Sequence, residues 1–410
     1  MSKHINKPAG ETRRYVGIDL GDRKSRLCIV DEQGSIVLQE WVVTTPEALL
    51  KRFSREAAMR IAMEVGTHSR WASELLERCG HEVRVADARQ LALITNSNAK
   101  SDKRDARTLA QLLRADPRLL SPIVHRAENL QMDLTVIRMR DNLIETRTRL
   151  VSSVRGVVKA TGARLPKCET ANFPQQAVGV IAEPLRPALA PMLEVIDQLN
   201  EEIYEYDCLL EHWARTRYEE SSRLTQVKGV GTLTALTFLL TVGDKQRFSR
   251  TRDIGSFLGL RPRLDQSGDS HPELRITKAG DGLLRKTLVE CAQYMVGPFG
   301  QDSDLRRWGL KMVEAGNGSK RARQRAVVGV ARRLAVLLMS LWKSGRAMIH
   351  CVTAESRRVA RRWRHEEPRG ELRRCQTSSD AGSGVAALSG RRPPRWSRRP
   401  VSWAVSHPPG

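Results

Sequence analysis

Between Tyr15 and Val37 the chain reads YVGIDLGDRKSRLCIVDEQGSIV: an apolar run that ends in a carboxylate, a second β-branched run, and the turn sequence DEQG. Short β-rich runs punctuated by turn residues predict strands joined by tight connections. The pattern continues to Thr44, so this segment is expected to form three strands in an antiparallel meander. Beyond it, PEALLKRFSREAA opens on a proline suited to the first turn of a helix. RIAMEV then reads as a buried strand, HSRWASELLERC as a helix, EVRVADA as a strand and DARTLAQLLRA as a helix. A meander that feeds helix and strand alternation leaves few choices: a mixed sheet with helices packed against it.

That is the order of a ribonuclease-H-like α/β fold. One such layer does not use up 410 residues, because single cores seldom grow beyond about 250 to 300 residues, and two or three units are expected. Lys and Arg number 69 against 46 Asp and Glu, a net charge of +23, which points to a polyanionic partner and to nucleic acid first. A basic membrane-surface protein is the competing class, but the longest apolar run, AVLLMSLW from Ala335, falls far short of the roughly 20 residues a span requires. The opening MSKHINKPAGETRR has no apolar segment and is not a secretory signal, so a cytoplasmic location is expected. None of the 7 cysteines forms a C-x-x-C pair, which argues against zinc ribbons and disulfide frameworks and for reduced thiols.

The middle of the chain changes character. Leu130, Ile137, Ile144, Val151 and Val158 recur every seven residues, but the companion columns hold Asp133, Arg140, Asp141 and Arg147, so a long, partly exposed helix is expected. After a Pro-rich connector between Lys159 and Pro191, Met192, Ile196, Leu199, Ile203, Tyr206, Leu210 and Trp213 alternate spacings of four and three. This is a heptad seam, read as a helical hairpin or coiled-coil arm that packs either within the chain or against a second copy. The expected organisation is a leader over 1–14, an α/β domain over 15–125, a helical arm over 126–220, a mostly α domain over 221–345 and a basic tail over 346–410, too poor in aliphatics to fold alone.

Asp19 closes the first strand, as it would in an ATPase of the actin and sugar-kinase type. Such an ATPase also needs a second Gly-rich phosphate loop and a Gly-Gly adenosine turn, and neither occurs. The chain instead supplies Glu64 at the end of RIAMEVG and the segment SDKRDA, where Asp102 and Asp105 are three residues apart. On a helix that spacing brings two like charges to one face, where a divalent cation relieves their repulsion. Magnesium favours such hard oxygen ligands and assists phosphodiester cleavage. Each acid has a plainer reading: Asp19 in a turn, Glu64 paired with Arg60 or Arg70, and SDKRDA as a salt-bridged helix start capped by Ser101. Four acids at strand ends and one helix face of a single domain favour the site.

In this order, with GIDLG, MEVGTHS and SDKRDA around them, Asp19, Glu64, Asp102 and Asp105 resemble the acids of the DEDD transposases of the insertion-sequence-110 (Piv-type) family, whose N-terminal domain is RuvC-like. The resemblance runs from about Tyr15 to Gly345. In LTQVKGVGTLTALTFLL, Gly229 and Gly231 flank Val230 between apolar helical stretches, the pattern of a helix-hairpin-helix whose backbone amides approach a phosphate, with Lys228 adding charge. A tight turn between packed helices is the alternative. FLGLRPRLDQSGDSHPELRITKAGDGLLRKTLVECA is similar to the family's second signature. By composition Ser-Gly is an everyday turn. The resemblance implies that Ser267, flanked by Arg261, Arg263, Arg275, Lys278 and Arg285, is a nucleophile, with Ser270 as the competing assignment. His68 and His271 are left outside the catalytic set.

The resemblance further implies DNA strand cleavage and exchange through a phosphoserine–DNA intermediate, Mg2+ held by the four acids, a structured guide RNA, and a homo-oligomer (dimer or tetramer) working on nucleoid DNA. Two rivals stand beside it: a metal-only RuvC-like nuclease or Holliday-junction resolvase, and a non-catalytic nucleic-acid-binding protein.

Overall fold

The computed structural model describes residues 13–87, 101–265, 267 and 274–345. Ser270, His271, the tail from 346 and most of the leader lie outside the described residues. A single mixed sheet of six strands runs in the order β3-β2-β1-β4-β5-β6. β1 (Tyr15–Asp19), β2 (Lys24–Val30) and β3 (Ile36–Val43) form the expected antiparallel meander. The DEQG turn between the last two is closed by Asp31, whose Oδ1 accepts from the amides of Gln33 at 3.0 Å and Ser35 at 2.8 Å. Gly34 takes φ +87° there, a conformation that favours glycine. β4 (Arg60–Glu64) lies parallel to β1, and β5 (Glu82–Ala86) parallel to β4. β6 (Pro122–Ile123), which the sequence pattern did not reveal, adds a two-residue antiparallel edge to β5.

Alternation along these strands sorts the core into two faces. Val16, Ile18, Leu27, Ile29, Ile61, Met63, Val83 and Val85 pack on one side with α1 (Pro46–Phe53) and α2 (Ser69–Arg78). Tyr15, Cys28, Val30, Ala62 and Ala86 pack on the other against Ala106, Leu109, Ala110 and Leu113 of α3 (Asp102–Ala115). α1 ends at Phe53, short of the helical reading of SREAA, and its start is capped by the Thr45 hydroxyl.

The arm is an intramolecular hairpin of α4 (Glu128–Ala160) and α5 (Arg186–Thr216). In the stretch read as a Pro-rich connector, helix already begins at Arg186: Pro187 fills an N-terminal position that lacks a hydrogen-bond partner in any case, and Pro191 is accommodated inside the helix. Val154, Val158, Leu189, Leu193 and Ile196 form the distal core. The polar residues in the half-apolar seam are paired across it. Arg140 makes a two-pronged contact with Asp207 at 2.7 and 3.1 Å, and Arg147 donates to Asn200 at 2.8 Å. Buried Asp133 is held by Arg217 at 2.8 Å and by the Tyr218 hydroxyl. Burial, and then this bond to Asp133, push the Tyr218 hydroxyl well above its ordinary range.

At the arm's root, Leu134 and Ile137 join Leu210 and, from α6 (Thr232–Val242), Leu236 and Leu240. α6, α7 (Gly282–Val296), α8 (Asp304–Ala315) and α9 (Lys320–Ser344) build the helical unit. Its core includes Phe238, Leu284, Leu288, Leu334, Leu338 and Trp342. The apolar run from Ala335 is therefore a buried stretch of α9. Among the described residues no helix is long and apolar enough to cross a membrane.

Candidate active site and nucleic-acid interface

Asp19 is the last residue of β1 and Glu64 the last of β4. These strands are parallel neighbours whose final paired residues are Ile18 and Met63, so the two acids leave the sheet side by side, one strand spacing of about 4.8 Å apart. Ile18 and Met63 face α1 and α2. By alternation Asp19 and Glu64 turn to the opposite face, under α3.

What brings α3 close is a patch of small residues. Gly17 pairs with Cys28 on one side and Ala62 on the other, and Ala106 and Ala110 of α3 sit on it. A Cβ at Gly17 would lie 1.9 Å from the Ala106 carbonyl oxygen and 2.6 Å from the Ala110 amide nitrogen, so only glycine permits this approach. The contact fixes the first turn of α3 next to the carboxylate edge. Asp105, one residue before Ala106 in this first turn, is only 7% exposed. Asp102 begins the helix and is exposed. Ser101 occupies the cap position without a side-chain cap bond; its carbonyl accepts from the Asp105 amide at 3.0 Å.

Of the arginines near Glu64, Arg60 pairs with Glu82 at 2.9 Å and Arg70 with Glu74 at 2.8 Å. His68, four residues beyond Glu64, accepts a hydrogen bond at Nδ1 from Trp71 Nε1 at 3.2 Å and sets Nε2 3.6 Å from exposed Asp22. Among the described residues no three His, Cys, Asp or Glu side chains are already gathered as a metal cage. The donor chemistry at this edge, carboxylate oxygens only, is that of a hard divalent cation.

The remaining candidates lie in the helical unit. Gly229 adopts φ +87° in the turn between the four-residue helix Ser221–Leu224 and α6. Gly231 is the residue before α6, with open space where a Cβ would stand, and Lys228 is exposed. The first helical stretch is thus much shorter than the sequence pattern implied. Ser267 is exposed on an excursion whose two limbs zip together: Pro262 bridges Ile276, Arg263 N donates to Arg275 O at 3.0 Å, and Thr277 N to Arg261 O at 2.9 Å. Arg261, Arg263, Arg275 and Lys278 are exposed on these limbs. Arg285 is placed differently: its guanidinium donates to the carbonyls of Leu258 at 3.0 Å and Ala279 at 2.9 Å and so anchors the root of the loop. Asp281 caps α7 through the Leu284 amide and is held by Arg138 of α4 at 2.8 Å, which fastens the loop's exit to the arm.

The sheet meets the arm at His125 and Arg126. Arg126 Nε donates to the Thr241 carbonyl at 2.8 Å, and Arg70 donates to the Arg126 carbonyl at 2.6 Å. Burial, reinforced by Arg70, lowers the His125 imidazole below its ordinary range. Both residues line a groove of about 1110 Å³ with Arg70, Glu74 and Arg84.

Residues 16–162 match a family model of IS110 transposases, described as "Transposase", and residues 221–304 match one described as "Transposase IS116/IS110/IS902 family". The chain is similar to the transposase for insertion sequence element IS1111A of Coxiella burnetii, 25% identical over 80% of this chain and 89% of that protein. It is also similar to the transposase for insertion sequence element IS1328 of Yersinia enterocolitica, 26% identical over 72% of this chain and 87% of that protein. A putative transposase, y4pF/y4sB, of Sinorhizobium fredii is 28% identical over 83% and 86%.

Proposed function

We propose, for a chain that belongs to the IS110 family of insertion-sequence transposases, that it cuts and exchanges DNA strands by joining a RuvC-like acidic edge to a serine nucleophile. What supports this reading is that Asp19 and Glu64 end two adjacent parallel strands on the face covered by α3, and that buried Asp105 lies in the first turn of α3, next to the Ala106 that packs on Gly17. The strand order supports a ribonuclease-H-like reading of this domain.

Asp19, Glu64, Asp102 and Asp105 would hold Mg2+. When bound, the ion supplies charge neutralisation at the attacked phosphate. Ser267 attacks phosphorus through its hydroxyl oxygen, and the bond to the leaving strand's oxygen breaks, which leaves the other strand on the serine. A hydroxyl from a partner strand then reverses the step and releases the serine. Arg261, Arg263, Arg275 and Lys278 hold the phosphates around the loop, while Lys228 and the amides near Gly229 and Gly231 hold the duplex at a distance from the cut. Arg285 keeps the loop's root in place. The net charge of +23 suits a complex of DNA with a structured guide RNA, and a dimer or tetramer would bring two DNA ends together.

The test is cleavage of a plasmid carrying the element's ends, with magnesium or with chelator. Asp105→Asn and Asp19→Asn should bind DNA as wild type does and lose cleavage by at least about a hundredfold, the scale of removing one charge-stabilising group at a reacting centre. Cleavage at the wild-type rate in either variant or in chelator would refute the acidic site.

A further inference from the structure

Across the meander, Asp19 of β1 pairs with Arg26 of β2, and Arg26 pairs with Trp41 of β3. Three residues of different chemistry thus form a row at the level of the carboxylate edge. All three are on the α3 side: Leu27, the next residue of β2, is buried with α1 and α2, while Cys28, two residues on from Arg26, is buried under α3. The partners of the alternate positions agree, since Glu40 reaches Arg52 of α1 and Gln39 reaches Cys28.

Arg26 is an unusual member of this row. Its guanidinium stands over the Trp41 ring, 5.1 Å from the centroid. Its Nε is buried and makes no hydrogen bond among the described residues. A guanidinium has five N–H donors in a fixed fork that suits phosphate oxygens, and this one stacks on Trp41 with its Nε unpaired among the described residues. Trp41 remains 51% exposed on an edge strand, and Val43 beside it 50%, a costly position for an indole with no other role. The surroundings are cationic. Lys24, across from Val43, is exposed. Burial pushes the Cys28 thiol up, while its hydrogen bond with Gln39 and then the charges of Arg107 and Arg26 oppose that shift.

We propose that Arg26 and Trp41 form a nucleotide shelf beside the acidic edge, where Trp41 stacks on a base of a single-stranded DNA segment and Arg26 takes an adjoining phosphate. This rests on the reading of that edge as the DNA-cutting centre. Stacking on an exposed aromatic is tolerant of sequence, and a neighbouring cation follows the backbone, as an enzyme needs if it acts on strands opened near the cut. The two are positioning residues: they set where the strand lies relative to Asp19.

The experiment uses the full chain and a labelled oligothymidine of about 20 nucleotides, long enough for one such site. Trp41→Ala should weaken binding about tenfold, and Trp41→Phe should restore most of it. Arg26→Gln should lower the slope of log affinity against log salt by about 0.7, the value for one phosphate contact to a single strand. A purely structural pair would shift the melting temperature and leave that slope unchanged. In the plasmid assay, Trp41→Ala should raise the DNA concentration for half-maximal cleavage. If wild type binds and cuts DNA but the folded variants bind oligothymidine as wild type does, the shelf is overturned and the proposed function stands. Tighter, Trp41-dependent binding of oligouridine than of oligothymidine would overturn it in favour of RNA. Wild type that neither binds nor cuts DNA overturns both.

Discussion

At the scale of single residues, Gly17 decides more than any of the acids it positions. It sits inside a strand, where glycine is ordinarily unfavourable, and it is retained because the α3 backbone rests on it. Gly17→Ala should destabilise the protein by about 1–3 kcal/mol, the range for overpacking a close contact, and should depress cleavage by moving Asp105. Urea denaturation checks the first effect, and a midpoint unchanged from wild type would contradict it. The sequence announced Asp19 and Glu64 because carboxylates at the ends of apolar strands stand out. It was silent on Gly17, since GIDLG reads equally well as a phosphate-loop turn. It also offered Arg285 and Arg261 as equivalents, although one is bound to carbonyls and the other exposed, a difference that only the path of the loop determines.

Among the elements, the arm was legible in its periodicity and ambiguous in its partner. The seam from Met192 to Trp213 has its partner in α4 and α6, and the polar interruptions of α4 meet matching groups on α5. Paired charges of this kind look like flaws while only one helix is in view. Ile203 and Leu210 are buried in the hairpin, so Ile203→Glu should unfold the arm, with a loss of several kcal/mol for a buried charge without a partner. Circular dichroism melts check this, and a cooperative, wild-type transition would contradict it. The junction between sheet and arm gives a pH dependence. Burial lowers the His125 imidazole in the folded protein, so on acidification the unfolded chain takes up this proton first, and the stability from neutral His125 is present above about pH 6.5 and lost as pH falls. The melting temperature should therefore drop between pH 7 and 5, and His125→Gln should reduce the drop. Parallel curves for the two proteins would contradict the assignment.

For the whole molecule, a charge of +23 requires that DNA binding weaken steeply with salt as phosphate counterions are released. A flat plot of log affinity against log salt would count against a nucleic-acid partner. Charge and composition are visible in any sequence. What stays hidden is the sharing of one reaction that we propose between a sheet edge and a loop more than 150 residues further along the chain, because such pairings depend on tertiary contacts and on the nucleic acid itself. That sharing is the central claim, and trapping the reaction on end-labelled DNA tests it most directly. Wild type, denatured in mid-reaction, should carry label on the protein. Ser267→Ala, which removes one oxygen and no charge, should bind DNA normally and carry none, and Asp19→Asn should also carry none. Normal cutting by Ser267→Ala, with no label on the wild-type protein at any time, would contradict the serine mechanism and leave a metal-dependent nuclease in its place.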